Sequence, residues 1–128
     1  MATLITEGVE IVVETSYQQE HSNPAENSFV HAYRITIINH NSFTVQLLRR
    51  KWLITDSHYG ISIVEGEGVV GRQPVLYPGD SHEYISGCNL HSTIGKMEGV
   101  YIFQNKQNRG EFMVKVPSFD LIAPMVLN

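Results

Sequence analysis

The 128-residue chain is long enough to bury a core without staples, and its 42% apolar and 17% charged content is that of an ordinary globular protein. A net charge of −4 argues against a nucleic-acid partner, because a polyanion is bound by a basic stripe. One cysteine, Cys88, excludes an internal disulfide and fits a reducing cytoplasm.

The start, Met1 to Gly8, has neither the basic opening nor the apolar run of a secretory leader, and no stretch approaches a membrane-spanning helix in length. The expectation is therefore a cytoplasmic protein with no membrane insertion. From Val9 the pattern has period two: Val9, Ile11 and Val13 share a face. After the polar stretch Gln18 to Pro24, a long strand is predicted from Asn27 to Asn39, with Phe29, Tyr33, Ile35 and Ile37 on one side. His40, Asn41 and Ser42 supply the reversal. The strand Val45 to Asp56 is read with Leu48, Arg50, Trp52 and Ile54 on one face and Leu47, Arg49, Lys51 and Leu53 on the other. The basic run Arg49-Arg50-Lys51 is then split between two surfaces, which weakens it as a binding patch.

Shorter strands follow. Ile61 to Val64 leads into a glycine-rich loop, and Pro78-Gly79-Asp80 marks a turn before Ser81 to Ser86. Gly95 to Phe103 places Met97, Tyr101 and Phe103 together. Phe112, Val114 and Val116 form the last strand, which Pro117 is expected to close. The tail beyond it has no clear period. About seven strands with no helix of normal length define an all-β, antiparallel β-sandwich spanning residues 1–128 as one domain. An immunoglobulin-like or fibronectin type III-like topology is the best match, with Trp52 central on the third strand, and a small Greek-key barrel is the alternative.

Gly66, Gly68 and Gly71 spell G-x-G-x-x-G, the spacing that cradles a dinucleotide pyrophosphate. That chemistry requires a helix to start at the last glycine, and Pro74 and Pro78 leave no room for one. Two readings remain. In the first, the glycines serve a tight bend through positive φ or close backbone approach. In the second, successive N–H groups form a nest for phosphate or a nucleotide, with Arg72 adding a charge-assisted bond and Glu65 and Glu67 opposing it. Gln73 and Tyr77 extend the candidate ligand-binding set of Gly66, Gly68, Gly71 and Arg72, as a hydrogen-bonding group and an aromatic anchor. The competing role for Arg72 and Gln73 is to tie the loop to its own sandwich.

No catalytic or metal set stands out, and no cofactor is expected. Cys88 and His91 have the spacing of half a zinc site without a second pair. A magnesium site at the loop would need Glu65, Glu67 and Asp80 to converge. Ser86 or Cys88 beside His82 or His91 lacks any nucleophile-elbow pattern. Tyr33, Trp52, Tyr84, Tyr101 and Phe112 read as core, while Phe43, Tyr59 and Tyr77 lie in or beside turns and read either as an exposed patch or as packed under their own loops. Exposed sandwich edges leave a homo-oligomer open.

The stretch from Gly66 through Arg72-Gln73-Pro74-Val75-Leu76-Tyr77-Pro78-Gly79-Asp80 closely resembles the ApaG family. So do Tyr84-Ile85-Ser86-Gly87-Cys88-Asn89-Leu90, Gly95 to Tyr101, Tyr33 to Ile37 and Gln46 to Asp56, so the resemblance runs from Gly8 to Pro124. It implies a fibronectin type III-like sandwich without an established enzymatic activity. It also implies a link to cobalt and magnesium efflux through the label carried by bacterial members. A related domain in eukaryotic F-box and DNA-polymerase-interacting proteins implies an interaction module with a protein partner. Efflux itself needs a membrane path that this chain does not supply, so the expected link to metal homeostasis is indirect. The family's glycine motif is often extended to a histidine two residues before the first glycine and proposed as a pyrophosphate site. Here that position is Val64.

Overall fold

The computed structural model describes residues 1–127. Nine strands run in the order β1 (Ala2–Thr6), β2 (Val9–Tyr17), β3 (Phe29–Asn39), β4 (Val45–Asp56), β5 (Gly60–Glu67), β6 (Val75–Leu76), β7 (Ser81–Leu90), β8 (Ile94–Asn105) and β9 (Glu111–Ile122). The only helical turns among the described residues are three short 3-10 segments. One sheet has the order β1-β2-β3-β7 and the other β5-β4-β8-β9, with the two-residue β6 also on β4. All the strand pairs are antiparallel. This is a two-sheet β-sandwich, as the period-two pattern requires.

The core lies between the sheets because alternate residues of each strand point inward. Val9, Ile11 and Val13 of β2 and Phe29, Tyr33, Ile35 and Ile37 of β3 meet Trp52, Met97, Tyr101, Phe103, Val114 and Val116 of the facing sheet. Trp52 is the hub: its ring meets Tyr33, Tyr101 and Phe119 at centroid distances of 5.8, 6.1 and 6.0 Å, all near edge-to-face. Such pairs add about 0.5–1.5 kcal/mol each beyond the area they bury. The Tyr84 and Tyr101 hydroxyls bond each other inside this cluster, and burial raises both above the usual tyrosine range.

Two bulges change what the sequence pattern suggests. On β4 the register against β8 jumps from Leu47–Phe103 to Arg49–Ile102, so Leu48 is an extra residue. Val45 and Leu47 point into the core before the bulge, and Arg50 and Trp52 point inward after it. Leu47 therefore shares the core face with Trp52, where strict alternation had placed Leu48. On β9 the register jumps from Val116–Gly99 to Phe119–Met97, leaving Pro117 and Ser118 opposite Glu98. Pro117 does not end the strand. It sits in the bulge, where a missing N–H breaks no ladder bond, and the inward set shifts from Val114 and Val116 to Phe119 and Leu121. That shift is why the tail showed no period. The strand count rises from seven to nine because β1 and β6, five and two residues long, are short additions at sheet edges.

Candidate functional site

The glycine-rich segment is a hairpin tied to the β4 bulge. β5 extends through Gly66 to Glu67, three residues further than the sequence pattern suggests. The Gly68 N–H donates to the Leu48 carbonyl at 2.8 Å, and Gln73 Nε2 donates to the same carbonyl at 2.9 Å. Gln46 Nε2 in turn donates to the Gln73 carbonyl at 3.1 Å. Gln73 thus fastens the far limb of the hairpin to β4. Val69 is buried in the core and anchors the near limb.

The tip follows from these anchors. Val69 N–H donates to the Arg72 carbonyl at 2.7 Å, and Arg72 N–H returns to Val69 at 3.0 Å. The two residues between, Val70 and Gly71, have φ of +47° and +74°, the signs that a type I′ turn requires. Gly68 has φ +62°, and a Cβ there would lie 2.1 Å from the Arg72 carbonyl oxygen. At Gly66 a Cβ would lie 2.8 Å from Arg50 Nη1, so the glycine leaves room for the guanidinium. Arg50 Nη1 donates to the Glu67 and Gly68 carbonyls at 3.1 and 3.0 Å. Close approach at Gly66 and Gly68 and positive φ at Gly68 and Gly71 therefore account for all three glycines. The Gly68, Val69 and Arg72 amides, three of those that a phosphate nest would use, donate within the chain.

Arg72 and Tyr77 are placed differently. The Arg72 side chain is exposed and takes part in none of the hydrogen bonds or ion pairs found among the described residues. Burial first, and then the Arg72 guanidinium, hold the His82 imidazole below its ordinary range. Arg72, Pro74, Val75, Asp80, Ser81 and His82 line an open depression of about 520 Å³. Tyr77 begins the turn Tyr77-Pro78-Gly79-Asp80, which is closed by Asp80 N–H to the Tyr77 carbonyl at 2.9 Å. Gly79 at φ +85° after Pro78 meets the requirement of a type II turn, and Asp80 Oδ2 accepts the Tyr77 N–H at 3.0 Å. The Tyr77 ring is left 63% exposed. Of the six candidate ligand-binding residues, Gly66, Gly68, Gly71 and Gln73 serve the hairpin itself, and Arg72 and Tyr77 face outward.

Other candidates separate. Tyr59 lies at the start of β5 and Tyr77 beyond β6. The partners of these strands sit at opposite ends of β4, roughly 35 Å apart at about 3.3 Å per residue. Phe43 packs against the core, so the turn aromatics form no single patch. Cys88 is buried on β7, whereas His91 is exposed, with Nδ1 3.2 Å from the Asn27 carbonyl and its ring against Tyr59. They do not form half of a metal site. Burial, and then Asp56, push the Cys88 thiol up to about 11, which leaves it protonated near neutrality. Glu65 pairs with Lys51 at 3.4 Å and Asp80 holds its own turn, and among the described residues no three His, Cys, Asp or Glu side chains gather to hold a metal.

Sequence reading missed three residues that shape this region. Strict alternation places Arg50 on a strand face, and the structure ties its guanidinium to the hairpin. The Leu48 bulge was invisible, although two adjacent leucines between alternating neighbours are its trace. Asn39 is fully buried: Nδ2 donates to the Phe43 and Leu76 carbonyls at 2.9 and 3.0 Å, and Oδ1 accepts the Asn41 N–H at 3.0 Å. It thereby fixes β6, and with it the Tyr77 turn, to the β3–β4 connection.

These features define a class: a two-sheet antiparallel sandwich carrying an internally tied glycine hairpin between its fifth and sixth strands. The model of the ApaG domain matches residues 19–105, more than half of the chain. Protein ApaG of Brucella abortus (strain S19) is 44% identical over 124 residues, covering 97% of this chain and 95% of that protein. Protein ApaG of Vibrio vulnificus (strain YJ016) is 46% identical over 120 residues, with 94% of each covered. The crystal structure of a Bordetella pertussis protein designated ApaA superimposes with a TM-score of 0.87 at 39% identity, covering 91% of this chain and 94% of that one. The chain belongs to the ApaG family.

Proposed function

We propose that this protein is a non-catalytic binding module that engages a protein partner through the face formed by Val70, Arg72, Val75 and Tyr77. The observation that carries the reading is the division of labour within the glycine segment. Gln73 and the glycines are committed to internal contacts, whereas Arg72, Val70, Val75 and Tyr77 are exposed on consecutive parts of the same hairpin and turn. Exposed aromatic and Arg side chains on a rigidly tied scaffold are the groups that concentrate interface energy. The sheet orders β1-β2-β3-β7 and β5-β4-β8-β9 support a fibronectin type III-like assignment, an architecture common among interaction domains. A cytoplasmic location and an indirect role in cobalt and magnesium homeostasis complete the proposal. No helix among the described residues is long and apolar enough to cross a membrane.

A second reading, a small anion or nucleotide in the depression lined by Arg72 and His82, draws support from these two nitrogen-bearing side chains on one rim. Asp80 on the same rim opposes it. The double variant Arg72→Ala, Tyr77→Ala tests the proposal. It is expected to keep the wild-type melting temperature within about 2 °C, since both side chains are exposed and neither makes a hydrogen bond or ion pair among the described residues, and to lose partners captured from a native extract. A saturable rise in melting temperature with pyrophosphate or nucleotide, abolished by Arg72→Ala, would instead favour the anion reading.

A further inference from the structure

β3 lies between β2 and β7, and its register sets His31 beside Tyr17 on one flank and Cys88 on the other. The Asn39 N–H donates to the Asp80 carbonyl, which continues the β3–β7 alignment. Hydrogen-bonded positions alternate in an antiparallel pair, and His31 and Cys88 stand an even number of residues from that bond. They therefore form a hydrogen-bonded pair, with Cα atoms about 5.5 Å apart and side chains on one face. That face is the inner one: His31 is 2% exposed and Cys88 9%. The Tyr17 ring packs edge-on against the imidazole at 5.2 Å, which leaves the Cys88 flank to the thiol.

The buried polar groups at this end of the sandwich are not satisfied. Among the described residues, His31 Nε2 and Asp56 Oδ1 are buried without a hydrogen-bond partner, and the Cys88 thiol is free. Asp56 comes from the facing sheet, and its other oxygen, Oδ2, accepts the His91 N–H at 2.7 Å. Its charge is felt at Cys88, where it adds to burial in raising the thiol to about 11. Among the described residues no Lys or Arg shifts either His31 or Cys88. With its proton on Nδ1, neutral His31 offers a lone pair at Nε2. A ring nitrogen and a sulfur then stand side by side as electron-pair donors, in the field of a carboxylate, with no cation of the protein's own.

We propose that Cys88 and His31 form a two-coordinate site for a soft monovalent cation, copper(I), held between Sγ and Nε2. The S–H bond breaks, its proton leaves to solvent, an S–Cu bond forms in its place, and the Nε2 lone pair fills the second position. One positive charge replaces another, so the buried charge is unchanged and the ion stays in one oxidation state. Thiolate selects copper(I), and imidazole suits copper. Metal–sulfur and metal–nitrogen bonds of about 2.3 and 2.0 Å would set the donors roughly 4.3 Å apart across a linear ion. A cross-strand pair about 5.5 Å apart at Cα spans that distance. Zinc takes four ligands and magnesium six, and among the described residues no third His, Cys, Asp or Glu side chain joins the pair. Asp56 ends β4, whereas β6 and the Arg72–Tyr77 face are attached at its start, so neither proposal rests on the other.

The test is an anaerobic titration of the full chain with copper(I), in competition with a chromogenic copper(I) chelator, beside Cys88→Ser and His31→Leu. One ion per chain is expected, with one proton released. Cys88→Ser should abolish binding, and His31→Leu, which keeps the thiol, should raise the Kd about tenfold or more. Silver(I), which favours the same two-coordinate geometry and has no second oxidation state in water, should bind at the same stoichiometry. On loading, the Nε2 resonance of His31 in nitrogen-15-labelled wild-type protein should shift while Nδ1 keeps its proton. That signal is read on the native chain, so it decides the matter even where a variant folds poorly. No binding by the wild type, an affinity that His31→Leu leaves unchanged, or a His31 resonance unmoved by loading would overturn the proposal, the last two marking a lone thiol as the only ligand.

Discussion

Arg50 reaches beneath the end of β5 and holds Gly68 from below, its Nη1 donating to the Gly68 carbonyl at 3.0 Å while Gly66 leaves space for the guanidinium. The contact explains why a segment with a phosphate-loop spacing is a structural clasp. Its carbonyls are turned toward a cation of the protein's own, and three of its amides are bonded internally. The clasp then sets where Arg72 emerges.

The three glycines are predicted to differ in cost. Gly68→Ala adds a Cβ 2.1 Å from a backbone oxygen at positive φ, and should destabilise by about 2–3 kcal/mol. Gly71→Ala has open space and only the φ penalty, so about 1 kcal/mol is expected. Urea denaturation of both variants measures the difference. Equal costs would mean that the Gly68 contact relaxes freely and that the clasp is looser than described.

Val70 is a β-branched residue at φ +47°, a conformation that such side chains resist. Val70→Asn creates the Asn-Gly pair that type I′ turns favour, and the Val70 side chain is exposed and gives up no core packing. A gain of about 1 kcal/mol is expected in the same denaturation assay. A loss would show that the Val70 side chain does something in the folded protein that its exposure hides. If Val70 belongs to the partner face, the stabilised variant should also bind less well, which separates the backbone effect from the recognition effect.

The sandwich was legible because most strands keep strict alternation, as in Val9-Ile11-Val13 and Phe29 to Ile37, and that pattern has few other solutions. It failed at Leu48 and Pro117. A bulge changes the inward parity without any change in composition, so residues on one side of it are assigned to the wrong face. The candidate site was half legible. Gly66, Gly68, Gly71 and Gln73 read in the sequence both as ligand-binding groups and as structural ones; the Gly68 and Gln73 hydrogen bonds lie within the hairpin and its β4 anchor, and Gly71 stands at positive φ. The sequence does not show Arg50 as the cation of the hairpin, because its link to Gly68 spans 18 positions and exists only once β4 and β5 pair. Asn39 escaped for the same reason: its bond to Leu76 reaches across 37 positions.

The last prediction concerns acid. His31 is 2% exposed, stacks edge-on against Tyr17 at 5.2 Å, and its Nε2 has no hydrogen-bond partner among the described residues. Burial lowers its pKa below the ordinary value, because no nearby acceptor rewards the charged ring. The sign follows from linkage. The unfolded chain takes up a proton near pH 6.5 and the folded protein only at lower pH. The stability held by neutral His31 is therefore complete above about pH 6.5 and is lost as pH falls through the folded value. His82 is shifted in the same direction and adds to the loss, so the comparison must be made between variants. His31→Leu keeps an apolar group in the site and removes the proton-binding one. At pH 7 its stability should lie within about 1 kcal/mol of wild type, the unpartnered nitrogen being no asset there. Between pH 7 and pH 5 it should lose less stability than wild type, the limit being roughly 1.4 kcal/mol per pH unit for one proton. Equal losses in the two proteins would assign the acid sensitivity to other groups and leave His31 as packing alone.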